Sequence, residues 1–118
     1  MTDNTITIYH NPACGTSRTV LGLIRAAGHE PEVVEYLTAG WTRTQLEDIL
    51  ARMRARPRDI LRTKGTPAAE LGLLEPAATD GQILDAMVRH PILVNRPIVV
   101  TPRGARLARP ADIVQEIL

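Results

Sequence analysis

The sequence predicts an α/β fold in the order β-α-β, a helical insertion between the second and third strands, then β-β-α. Three observations carry that reading. Two short β-rich runs, TITIYH at Thr5–His10 and PIVVT at Pro97–Thr101, stand near opposite ends of the chain. Between them, several runs carry apolar residues at helical spacing. A turn-forming stretch, Pro102–Arg106, follows the second β-rich run and allows the chain to pair back on itself.

Each element has its own signal. TITIYH alternates as a half-buried strand does, and Asn11-Pro12 marks a turn after it. From about Ser17, Val20, Leu21, Ile24 and Ala27 recur at helical spacing, and Gly28 is a fitting C-terminal stop. EVVEYL, Glu32–Leu37, predicts the second strand, and Gly40-Trp41 a connector. Thr42 and Gln45 have the spacing of a capping box ahead of the stripe Leu46, Ile49, Leu50 and Met53. A short helix is expected within Ala55–Gly65, ending near Arg62, and Thr66–Ala78 reads as loop with one turn of helix. Thr79–Arg89 predicts a further helix, which Pro91 helps to end. PIVVT and Ala105–Ala108 form a predicted hairpin. Pro110 suits a first helical position, with Ile113, Val114, Ile117 and Leu118 as the apolar face.

Bulk properties narrow the function. At 118 residues and 44% hydrophobic content the chain suits one globular domain with a modest core. A net charge of +1 supplies no global field for nucleic acid or acidic membranes. No segment reaches the roughly 20 apolar residues of a membrane span, and MTDNTITIYH lacks the basic region and long apolar run of a signal peptide. The chain holds one cysteine, which fits a reducing cytoplasm. Of its 14 basic residues only Lys64 is a lysine; arginine suits bidentate binding of oxyanions.

The cysteine is the focus. YHNPACGTSR places Cys14 at a strand-to-helix junction, four residues after His10 and four before Arg18. Free N–H groups and the dipole at a helix N-terminus favour a thiolate, the reactive form, and also favour anions. Small polar turn formers on both sides make an inert core cysteine a poor reading. His10 is either a strand-end side chain or an imidazole that tunes the thiolate. Ser17 is a helix cap, a donor toward an anion, or both. A metal site is not expected: beyond His10 and Cys14 only His29 and His90 offer ring nitrogens, at unsuitable spacing. The Cys-x5-Arg loop of cysteine phosphatases is excluded, because position 20 is Val20.

Taken together and in order, ITIYHNPACGTSR, LRTKG, ELGL, HPILVNRPIVVTP and RLARP resemble the glutaredoxin-coupled arsenate reductase family from about Thr5 to Leu118. The resemblance implies a thioredoxin-like fold with a helical insertion. The whole of 1–118 is then a single arsenate-reductase-like domain, its core about 5–37 and 91–118 and its insert about 42–90. It also implies reduction of arsenate to arsenite, in arsenical detoxification, with Cys14 as nucleophile and His10 and Ser17 beside it. Arg62, Arg96 and Arg109 are implied to bind the oxyanion, and Pro97 to be a structural cis-proline. No tightly bound cofactor and no metal are implied. Glutathione is the reductant, glutaredoxin the protein partner, and the chain a cytoplasmic monomer that binds neither nucleic acid nor membrane. Two rival readings on the same fold are a thiol oxidoreductase and a relative of a redox-responsive transcription regulator. The regulator typically carries Cys-x-x-Cys, whereas Cys14 is followed by Gly-Thr-Ser. The oxidoreductase has no need of the three arginines.

Overall fold

The computed structural model describes residues 5–118. Four strands form one sheet in the order β2-β1-β3-β4, built from β1 (Thr7–His10), β2 (Glu32–Glu35), β3 (Ile98–Thr101) and β4 (Gly104–Leu107). Helix α1 (Gly15–Ala26) is the crossover that lets β2 run parallel to β1. β3 is antiparallel to β1, with Ile8 opposite Val99, and the β3–β4 hairpin closes the sheet. The expected β-α-β and β-β units are therefore present, with helices between them. The chain divides into two compact units. One joins the residues up to Ala39 to Arg96–Leu118; the other is Gly40–Asn95.

The core of the first unit follows from the two periodicities. Ile6, just before β1, and Ile8 within it are two residues apart and so share a face, Val20 and Ile24 lie one helical turn apart on α1, and all four are buried with Val99, Ala108, Val114 and Ile117. Each of the isoleucine and valine side chains contributes about 1.5–3 kcal/mol by burial. α1 ends where Gly28, at φ +91°, takes a left-handed conformation that a side chain disfavours, and His29 N–H closes the end on the Ile24 carbonyl.

Three elements differ from the sequence expectation. The second strand stops at Glu35, the partner of His10, the last residue of β1; Tyr36–Ala39 then makes one helical turn, α2, with Tyr36 buried. The helix expected within Ala55–Gly65 is a four-residue 3-10 turn, Pro57–Ile60, whose first position is the proline. The last element, Ala111–Ile117, is also 3-10 rather than α-helical. Three residues per turn line up Ala111, Val114 and Ile117 against the core, and Ile113 is only half-buried. Its first bond runs from Ile113 N–H to the Pro110 carbonyl, 3.1 Å.

In the second unit, α3 (Arg43–Met53) starts with the expected Thr42–Gln45 capping box, and α4 (Asp80–Arg89) with an equivalent one from Thr79 and Gln82. The two helices are in contact, and Arg43 and Asp85 form an ion pair between them. The segment between Arg62 and α4 has little regular structure. Arg58 organises it by donating to the carbonyls of Leu73 (3.1 Å), Glu75 (3.2 Å) and Ala78 (3.0 Å). No helix among the described residues is long and apolar enough to cross a membrane.

Candidate active site

Cys14 is the N-cap residue of α1, with extended backbone angles (φ −93°, ψ 122°) that turn the chain from strand into helix. The turn holds itself together. Asn11 accepts from Ala13 N–H through Oδ1 (3.0 Å) and from Cys14 N–H through its carbonyl (2.9 Å). This is the Asx geometry that Asn-Pro sequences favour. Cys14 is buried, its carbonyl accepts from Arg18 N–H at 3.0 Å, and the first turn of α1 has no acidic side chain to oppose a thiolate.

Two candidates meet directly behind the turn. Nδ1 of His10 lies 2.6 Å from Oγ of Ser17, and both side chains are buried. Ser17 Oγ also accepts from Asn11 N–H at 3.1 Å. One hydroxyl thus ties strand end, turn and helix together. Burial lowers the His10 pKa below the usual imidazole value; Glu35 opposes this, and Arg18 and Arg25 add to it. The shift favours the neutral ring.

Two of the three arginines belong to this unit. Arg109 Nη1 stands 3.7 Å from Cys14 Sγ and donates to the Arg96 carbonyl at 3.0 Å. Burial pushes the thiol pKa up. Against it work, in decreasing order, the Ser17 backbone N–H, the charge of Arg96, the Arg109 guanidinium and the Thr16 N–H, and the net result is a pKa below that of a free thiol. The thiol makes no cap hydrogen bond of ordinary geometry, so the two N–H groups act through their dipoles. The Arg96–Pro97 peptide bond is cis, as is Arg109–Pro110, and Pro97 is buried.

Arg62 lies in the second unit. Its Nε donates to the Lys64 carbonyl (3.2 Å), while Thr66 Oγ1 donates to the carbonyl of Arg62 (2.8 Å), so residues 62–66 form a self-closed loop. Gly65, at φ +74°, supplies its left-handed bend. Among the described residues no group of three or more His, Cys, Asp or Glu side chains could hold a metal ion. Sequence reasoning missed the parts played by Asn11 and Arg18. Asn-Pro was a readable turn signal, but which groups the turn bonds is fixed only in three dimensions.

Residues 9–117 match the ArsC family. The chain belongs to that family. It is 60% identical over 118 residues to the arsenate reductase ArsI1 of Synechocystis sp., a match covering all of this chain and 82% of that protein. It is 53% identical over 113 residues to the arsenate reductase of Escherichia coli K12, covering 96% of this chain and 80% of that one. The solved arsenate reductase of Vibrio cholerae superposes with a TM-score of 0.93 at 35% identity, covering 99% of this chain and all of that one. The architecture of this ArsC-family chain is accordingly thioredoxin-like, with the helical insertion between its second and third strands.

Proposed function

We propose that this chain reduces arsenate to arsenite, with Cys14 as nucleophile and external thiols as the source of electrons. The observation that carries the reading is a buried thiol of lowered pKa, 3.7 Å from an arginine, in a chain with no second cysteine. That its relatives at 53% and 60% identity are arsenate reductases supports the choice of oxyanion.

The chemistry follows from the residues. Arsenate spreads negative charge over tetrahedral oxygens, and forked, permanently charged arginines suit it. Arg96 and Arg109 stabilise the anion and offset its repulsion from the thiolate. Arg62 is the third oxyanion-binding arginine that the family resemblance implies, by its match to LRTKG. Cys14 Sγ bonds to arsenic, and an oxygen leaves as water after taking up protons. A glutathione sulfur then bonds to arsenic, displacing a second oxygen. A glutaredoxin thiolate attacks the glutathione sulfur, and the S–As electron pair passes to arsenic, reducing As(V) to As(III). Hydrolysis frees arsenite from Cys14. In sum, arsenate and two thiols give arsenite, one disulfide and one water. His10 and Ser17 hold the turn that presents the thiol. The reaction needs no resident cofactor and belongs in a reducing cytoplasm, with the chain acting as a monomer.

Arsenite formation with glutathione and glutaredoxin supplied, wild type beside Cys14→Ser, tests the reading. Turnover in the wild type and none in the variant is the expected result. Equal rates, or none in either, would refute it.

A further inference from the structure

Arg18 is the basic residue of the site region that the scheme above leaves without a task. It is exposed, one helical turn after Cys14. Its Nη1 donates to the Pro12 carbonyl at 2.9 Å, and Nη2 lies over Gly15, 3.7 Å from where a side chain there would begin. The guanidinium is thus fixed across the turn that carries the thiol. Two other arginines of the same unit are spent on carboxylates, Arg25 on Glu30 and Arg106 on Glu116, while Arg103 bonds the Leu118 carbonyl away from the turn that carries the thiol. Arg18 has no carboxylate within salt-bridge reach among the described residues. A single hydrogen bond to a carbonyl orients it and leaves its charge unneutralised.

We infer that Arg18 is a specificity-determining residue for the incoming small thiol, receiving a carboxylate of an anionic thiol such as a thiol peptide. The inference rests on the proposed function, which requires an external thiol to reach the arsenic on Cys14. In that step the thiol sulfur bonds to arsenic and one arsenic-bound oxygen departs as water, taking the thiol proton and one more from solvent. The arsenic stays As(V) until a second thiol removes the first as a disulfide. Arg18 takes no part in the bond changes. It holds the carboxylate end, which shortens the search for the reactive geometry. The exposed position lets a thiol that arrives from solvent reach it, and a guanidinium fork suits a carboxylate's two oxygens.

The test compares glutathione with its uncharged-carboxylate diester, glutaredoxin being present in every arm, for wild type, Arg18→Gln and Arg18→Lys. Dividing the glutathione/diester ratio of kcat/KM in the wild type by that in the variant cancels glutaredoxin's own preference. The ratio should fall roughly fivefold in Arg18→Gln, the upper range for an exposed ion pair. Arg18→Lys, which keeps the charge, should retain at least half of it. The wild-type preference should shrink as salt rises to 0.5 M, where charges more than about 4 Å apart are screened. Equal losses with both thiols would make Arg18 a brace for the turn and overturn the inference, as would an unchanged ratio. A wild type that turns over with neither thiol refutes the proposed function itself; one that turns over with both, at a ratio indifferent to Arg18, refutes only this inference.

Discussion

Arg109 Nη1 lies between two groups ninety-five and thirteen residues away in sequence, 3.7 Å from Cys14 Sγ and 3.0 Å from the Arg96 carbonyl. The final loop of the chain is thereby bonded to the residue before β3 and placed against the thiol at the start of α1. A cation held there by a backbone carbonyl is aimed before any substrate arrives.

The thiol should titrate below the free-cysteine value of about 8.5. Alkylation rate against pH measures this directly, and Arg109→Met should raise the midpoint. The linked effect on stability has a definite sign. The folded pKa is lowered, so between the folded and unfolded values the unfolded chain binds the extra proton, and stability rises with pH. The contribution is complete above the unfolded value and is lost as pH falls through the folded one. Urea unfolding of wild type and Cys14→Ser should therefore diverge in favour of the wild type on raising pH from 6 to 9. A constant difference would contradict the lowered pKa.

Ser17→Ala should destabilise the fold by about 1–3 kcal/mol, because it leaves the Asn11 N–H and His10 Nδ1 without their shared buried partner. Chemical denaturation gives the number. A loss below about 0.5 kcal/mol, the low end for a single hydrogen bond, would mean that water replaces the hydroxyl freely.

Arg96→Lys should lower arsenate reduction at least tenfold, roughly 1.4 kcal/mol of transition-state stabilisation. A lysine keeps the charge but not the fork. Arg103→Lys should have little effect: Arg103 follows β3 at the hairpin turn, and its Nη1 donates to the Leu118 carbonyl. Equal losses at the two positions would show that the motif around Arg96 does not set it apart from the other arginines.

Much of this was legible in the sequence, and the failures have physical causes. Alternation in TITIYH, helical spacing after Ser17 and the Thr42–Gln45 box are local signals, and local interactions decide those elements. The end of β2 is not local: Glu35 is its last residue because β1 ends at His10, and EVVEYL alone does not carry that limit. Ala111–Ile117 looked α-helical because apolar residues three and four apart suit either winding, and packing of Val114 and Ile117 chose the tighter one. The Arg58 grip on three carbonyls fifteen to twenty residues away has no sequence signature. Within the site, Cys14 was readable from its junction, whereas Arg96 and Arg109 stood out from the other arginines only through the motifs around them.

The electron supply tests the central claim most directly. A chain with one thiol can bond to arsenic but cannot close a disulfide within itself. Arsenite production should be measured with arsenate alone, with glutathione plus glutaredoxin, and with thioredoxin in the absence of glutathione. The account predicts no catalytic arsenite in the first case, sustained turnover in the second and poor turnover in the third. Full multiple turnover with thioredoxin and no glutathione would contradict it, even if Cys14 proved essential.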